Sequence, residues 1–336
     1  MVRTQREVWI KKKLRYFGIK LEMMDLLQIA TLVVSLAGLA FTSRYVIKYV
    51  EDLIELTRFG ETSIGFALLS VVTSTPELAV AFFAVADGTP ELSIGDLLGS
   101  NVFNIGIVVG VLMLTAGFLK ECPEGLEELA DILLLSSIIP LILVIFRASN
   151  PILGFGLLLV FGISVYRQTR VRTLAPLPDN SHIPRRKVPL TILKILAGTS
   201  VVMIAARFTV SSAVEIALDV GFPPLFIGAL IIAFGTSLPE LSLTIAAVKK
   251  GRTRLASANA IGSNLTNLTL ILGLVFASSL FKPFTIDLTL FLETISFVLI
   301  TSLIVWHHMT RGGDCRTIGV ILILTYVVFQ FTTLLR

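Results

Sequence analysis

Charge is what this sequence has least of. Of its 336 residues only 15% are Asp, Glu, Lys or Arg, against about 25% in an ordinary soluble domain, while 54% are hydrophobic. A mean hydropathy of +0.88 excludes a soluble globular chain and places the protein in lipid. Long hydrophilic segments are missing too. The longest inside the chain is a linker of about 20 residues from Arg167 to Pro189, too short for a soluble domain. Cysteine is nearly absent: Cys122 and Cys315 fall near the ends of apolar runs at no metal-binding spacing, and read as incidental thiols rather than a disulfide or zinc site. His307 and His308 lie at the end of an apolar run without evident partners, so no metal site is expected there. No intramembrane His-Glu-x-x-His, no Gly-x-Gly-Asp pair and no Ser with a His partner occurs, so no enzymatic activity is expected.

What is there is a series of apolar runs near the roughly 20 residues that cross a bilayer as helix. They fall at 26–48, 62–86, 92–118, 129–147, 151–167, 190–214, 223–248, 255–280, 285–306 and 316–335. The expected protein is therefore an all-α membrane protein of ten transmembrane helices in the cell membrane. Residues 1–25 form a basic tail, 26–167 a first group of five helices, 168–189 a cytoplasmic linker and 190–336 a second group of five. The net charge of +5 comes mostly from basic tails and loops, which suit an anionic membrane surface rather than nucleic acid. The lipid bilayer is the expected partner, and no obligate protein partner is evident.

The two groups are copies. Residues 65–110 align with 228–273 at a constant offset of 163, without a gap, and 15 of 46 positions are identical. The identities cluster in Thr73-Ser74 with Thr236-Ser237, Pro76-Glu77-Leu78 with Pro239-Glu240-Leu241, and Gly99-Ser100-Asn101 with Gly262-Ser263-Asn264. Asn104/Asn267 and Gly110/Gly273 extend them. Five spans per copy is an odd number, so the second copy enters the membrane upside down. Inverted repeats bring matched polar residues to the midplane from both sides. Loops after odd-numbered spans hold fifteen Lys/Arg and the even-numbered loops plus the C-terminus three, which sets the linker in the cytoplasm and both termini outside. Seven Lys/Arg before residue 21 pull the other way; translation from Met23 or Met24 would remove them, and an unrecognised element in the tail would change the parity.

The second and seventh spans carry Thr73-Ser74-Thr75-Pro76-Glu77 and Thr236-Ser237-Leu238-Pro239-Glu240 near their middles. A carboxylate at a helix centre in the bilayer costs about 2.5–3.5 kcal/mol on insertion scales. Each Pro removes an amide hydrogen and frees the carbonyl four residues earlier, on Val72 and Gly235, while Ser and Thr add hydroxyls. Ser100/Asn104 and Ser263/Asn267, each four residues apart, share one face of the third and eighth spans. Hard oxygens with two negative charges suit Ca²⁺, which takes 6–8 oxygen ligands, and Na⁺, which accepts the same neutral oxygens. A lone proline break is often a simple kink, and a lone buried acid is often protonated or paired with an Arg such as Arg44 or Arg207. Both occurring at repeat-equivalent positions point to a transport site.

These repeats resemble the two alpha-repeats of the calcium/cation antiporter superfamily, specifically the prokaryotic sodium/calcium exchanger branch with Gly-Thr-Ser-x-Pro-Glu and Gly-Ser-Asn-x-x-Asn motifs. The resemblance is strongest over 65–110 and 228–273. It implies ion ligands at Thr73, Ser74, Glu77, Ser100, Asn104, Thr236, Ser237, Glu240, Ser263 and Asn267, with no cofactor. It also implies alternating access by sliding of the first and sixth spans, and exchange of Ca²⁺ for Na⁺. Na⁺ is preferred because proton-coupled relatives usually carry a Gly-Asn-x-x-Glu variant absent here; an H⁺/Ca²⁺ exchanger is the alternative, and a passive cation channel is less favoured. Three positions depart from the pattern: Val72 replaces a Gly, Asn267 stands where some members have Asp, and Asp96 stands where the second repeat has Asn259. Asp96 reads either as an outer waystation for the ion or as a solvated helix-end acid. Arg44 and Arg207 read equally as gating or as snorkelling residues.

Overall fold

The computed structural model describes residues 26–57, 70–119, 127–141, 150–170, 188–249, 251 and 253–335. The basic tail, most of the linker, Cys122 and the start of the second span lie outside the described residues. Among the described residues all regular structure is helical. Backbone in lipid has no water to bond, so each span satisfies its own amides, which a helix does.

Seven helices are long and apolar enough to cross a membrane: Leu26–Tyr49, Pro90–Ala116, Val188–Val220, Pro224–Lys249, Ala256–Leu280, Leu288–Arg311 and Cys315–Leu334. Three shorter apolar helices, Thr75–Ala86, Ala130–Leu141 and Pro151–Arg167, fall on the three remaining expected spans. The first and sixth spans run past their expected ends, to Thr57 and Val220. Charged residues such as Lys48 and Asp219 end an apolar run without ending a helix. At 1.5 Å per residue the Leu26–Thr57 helix is about 48 Å long, more than the ~30 Å hydrocarbon core, so it tilts or projects.

Burial divides these helices more sharply than hydropathy does. The apolar windows of Pro90–Ala116 and Ala256–Leu280 are each 83% buried, and that of Val188–Val220 only 6%. The third and eighth spans are thus the core, and the sixth presents Leu193, Leu196, Ile204 and Phe208 outward, as lipid requires. It packs lengthwise on the first span, where Gly198 lies against Val46 and Thr209 Oγ1 donates to Ser35 Oγ at 2.9 Å.

The two halves interlock. Gly110 seats the last helix at Gly319 and Ile323, while its repeat equivalent Gly273 lies against Gly154 and Leu158 of the Pro151–Arg170 helix. Each half therefore grips a helix of the other at the same small residue. Turns repeat as well. Gly88 and Gly251, again 163 apart, have φ of +76° and +68°, a left-handed conformation that glycine adopts without strain.

Two expectations at one end of the molecule are corrected. Cys315 is disulfide-bonded rather than an incidental thiol, its partner lying outside the described residues. Its position, buried at the start of the last helix, gave no hint of that in one dimension. His308 is buried and not without partners, since its Nε2 lies 3.6 Å from Cys315 Sγ.

Candidate cation site

Each half breaks one helix in the same way. At Ser74 the backbone turns to φ −83°, ψ 16°, and at Ser237 to φ −90°, ψ 2°, the sparsely populated bridge region. New helices then begin at Thr75 and Leu238. Pro76 and Pro239 fall in their first turns, where a missing amide hydrogen costs nothing. The same first turns hold Glu77 and Glu240, at the positive end of each helix dipole.

The carbonyls expected to be freed are each partly engaged. Thr75 Oγ1 donates to Val72 O at 2.6 Å, and a backbone N–H at the helix cap donates to Gly235 O. Each retains one lone pair.

All ten expected ligand residues are fully buried. Hydroxyls cross between the halves: Thr73 Oγ1 lies 2.8 Å from Ser263 Oγ, and Thr236 Oγ1 lies 3.3 Å from Ser100 Oγ. Shifting either pair by the 163-residue offset generates the other. Asn101 Nδ2 donates to Asn264 O at 3.2 Å and Asn264 Nδ2 to Asn101 O at 3.0 Å, a reciprocal clamp at the heart of the repeat. Among the described residues the side-chain oxygens of the other six, Ser74, Glu77, Asn104, Ser237, Glu240 and Asn267, lie within hydrogen-bond geometry of no partner. More than 90% of buried polar groups in native proteins are paired, so a cluster of unpaired oxygens duplicated in both halves is exceptional.

Two features escaped sequence reasoning. Asn104 and Asn267 each begin a π-helical stretch, Asn104–Val109 and Asn267–Ile271. Such widened turns recur at functional positions, and no residue pattern announces them. The second is the setting of Asp96, left open above between an outer waystation and a solvated helix-end acid; it is not solvated. It is fully buried, and its Oδ1 accepts from Thr236 Oγ1 at 3.0 Å and from Ser100 Oγ at 3.4 Å. The signal was present: Asp96 and Ser100 are four apart, the same spacing that joined Ser100 to Asn104.

Close helix crossing sets this geometry. Side chains at Gly95 and Gly99 would strike the backbone of Leu225 and Ala229, and one at Gly228 that of Leu92. Only glycine allows the Pro90–Phe103 helix to lie this near the seventh span. Glu240 and Asp96 both stand near enough to Glu77 to act on it electrostatically, as Asp96 does on Glu240. Among the described residues no group of three or more His, Cys, Asp or Glu side chains stands where it could hold a metal ion by itself. Arg207 is more than a snorkelling residue: it pairs with Asp87 and lies over the Phe83 ring, 5.6 Å from its centroid. Arg44 is exposed.

The fold and this buried oxygen cluster define a multi-pass integral membrane protein built to pass cations. A sequence profile described as "Sodium/calcium exchanger protein" matches residues 27–170 and 190–335, and the chain belongs to that family of ion exchangers rather than to any class of enzyme. It is 30% identical over 278 residues to the inner membrane protein YrbG of Escherichia coli K12, covering 79% of this chain and 84% of YrbG. It is 28% identical over 340 residues to the sodium/calcium exchanger MaX1 of Methanosarcina acetivorans, covering 88% and 95%. Among solved structures, the sodium-calcium exchanger NCX_Mj soaked with 10 mM Na⁺ has a TM-score of 0.62 at 23% identity, over 91% of this chain and 98% of that one. The H⁺/Ca²⁺ exchanger CAX has a TM-score of 0.73 at 15% identity, over 96% and 93%. At these identities the structural likenesses establish the fold.

Proposed function

We propose that the protein exchanges Ca²⁺ for Na⁺ by alternating access, through ten spans in two inverted five-helix repeats with the linker in the cytoplasm. Glu77 and Glu240 supply the charge that balances Ca²⁺. The hydroxyls of Thr73, Ser74, Ser100, Thr236, Ser237 and Ser263 and the amide oxygens of Asn104 and Asn267 complete the shell. The observation that carries this reading is the pair of crossed hydroxyl contacts, Thr73 with Ser263 and Thr236 with Ser100, beside two buried, unpartnered glutamates. A site shared equally by two inverted halves opens to either side by the same motion.

The first and sixth spans suit the moving part. They are the least enclosed of the long helices and pack on each other through Gly38, Gly198, Ser35 and Thr209. Sliding them leaves the core intact and breaks the Arg207–Asp87 link to the second span.

Na⁺ is favoured as the driving ion because the site is rich in neutral oxygens, which a proton does not need. H⁺ is the second reading, supported by the closer structural likeness to the H⁺/Ca²⁺ exchanger. Purified protein in vesicles loaded with Na⁺ distinguishes them: Ca²⁺ uptake at constant pH supports Na⁺ exchange, and uptake that ignores Na⁺ but follows an imposed pH gradient supports H⁺.

A further inference from the structure

Asp96 is the buried ionisable group that the ten expected ligands leave out. Its Oδ1 takes two hydroxyl bonds, from Thr236 and Ser100, while its Oδ2 has no hydrogen-bond partner, and the side chain is wholly buried. Among the described residues no Lys or Arg forms an ion pair with it. A third acid beside two buried glutamates adds a charge that apolar surroundings do not tolerate without a cation nearby.

The repeat relation locates that charge. The residue 163 positions on is Asn259, also buried, with neither side-chain atom partnered. The two crossed hydroxyl pairs are therefore alike in geometry and unlike in charge. Ser100 with Thr236 carries a carboxylate, and Ser263 with Thr73 belongs with an amide. One carboxylate with two hydroxyls balances a single positive charge.

We propose that Asp96 is a third acidic ligand of this exchanger and, with the hydroxyls of Ser100 and Thr236, forms a subsite for one Na⁺. This rests on the exchange reading above.

The test is Na⁺-driven ⁴⁵Ca²⁺ uptake in vesicles by wild type, D96N, D96S and D96E, with Na⁺ and Ca²⁺ varied independently. D96N removes the charge at nearly constant volume and installs the residue found at position 259; D96S covers a folding defect in D96N. Both should raise half-saturating Na⁺ by about tenfold or more and lower the Na⁺ Hill slope by about one, with half-saturating Ca²⁺ changed by less than about threefold. D96E should keep the wild-type Hill slope. Unchanged Na⁺ dependence in D96N and D96S overturns the proposal while leaving Na⁺ exchange standing. Equal losses for Na⁺ and Ca²⁺ overturn it in favour of a common calcium cage. Wild-type uptake that ignores Na⁺ overturns both this subsite and the exchange reading.

Discussion

Gly99→Ala pushes a methyl group into the backbone of the seventh span at Ala229. The added Cβ would sit 2.7 Å from Ala229 Cα and 2.8 Å from its carbonyl carbon, besides meeting its oxygen. Carbon atoms rest at about 3.5–4.0 Å, so the third and seventh spans must part by about 0.8 Å or more. The obstacle is backbone, which has no alternative rotamer. A parting of that size stretches the 3.0 Å Thr236–Asp96 bond and the 3.3 Å Thr236–Ser100 contact beyond hydrogen-bonding range. Overpacking of this kind costs about 1–3 kcal/mol. Displacing a binding group by about 1 Å costs about a hundredfold in turnover where geometry governs the step. Gly156→Ala is the control, since nothing lies within 4 Å of that Cβ and alanine is the better helix former. Thermal unfolding in detergent and ⁴⁵Ca²⁺ uptake read the two effects. G99A that is as stable and as active as G156A would refute the claim that glycine-limited crossing sets the site.

Three further outcomes are expected. Asn101→Ala should destabilise the protein by about 0.5–1.5 kcal/mol, since it strips one bond of the reciprocal clamp; the Asn101→Ala/Asn264→Ala double variant, read by thermal unfolding, should be less stable than either single. Arg207→Glu should slow exchange by placing like charges at Asp87, and D87K in the same chain should recover part of the rate in vesicles. Asp314, in the turn before the last helix, accepts from Thr317 N at 2.9 Å and Thr317 Oγ1 at 2.7 Å, and these bonds hold its carboxyl below the usual aspartate range. A lowered folded-state pKa stabilises above the unfolded value and the effect is lost as pH falls through the folded one. The unfolding midpoints of wild type and D314A should therefore differ at neutral pH and converge in acid.

Hydropathy located the spans because a bilayer imposes one simple rule on them, and the 163-residue offset exposed the repeat because Thr73, Glu77, Ser100 and their partners must meet. Which helices are core was not legible, since lipid and protein interior are equally apolar: Val188–Val220 and Pro90–Ala116 have mean hydropathies of 1.9 and 2.0 and opposite burial. Four-residue spacing put Asn104 and Asn267 on the face of Ser100 and Ser263, but that the middle Asn of each Gly-Ser-Asn element clamps the two core helices together, and that the Asn three residues on starts a π turn, is a matter of tertiary packing. Sequence left Asp96 open between an outer waystation and a solvated acid, because its distance from Thr236 depends on the glycine crossing at Gly95 and Gly99, a relation across 140 residues. Cys315 and His308 fall in the same category. Their partnerships depend on a tertiary fold that a linear spacing does not display.

The most direct measurement of the central claim is Ca²⁺ uptake by vesicles containing wild type, E77Q or E240Q, driven by an outward Na⁺ gradient at constant pH. Both glutamates are buried and unpartnered, so each amide substitution preserves shape while removing half the negative charge that balances Ca²⁺. The expected result is Na⁺-dependent uptake by wild type and loss of about a hundredfold or more in each variant, with the unfolding temperature unchanged or raised because a costly buried charge is gone. Near-normal uptake by both E77Q and E240Q, in correctly folded protein, would contradict the account.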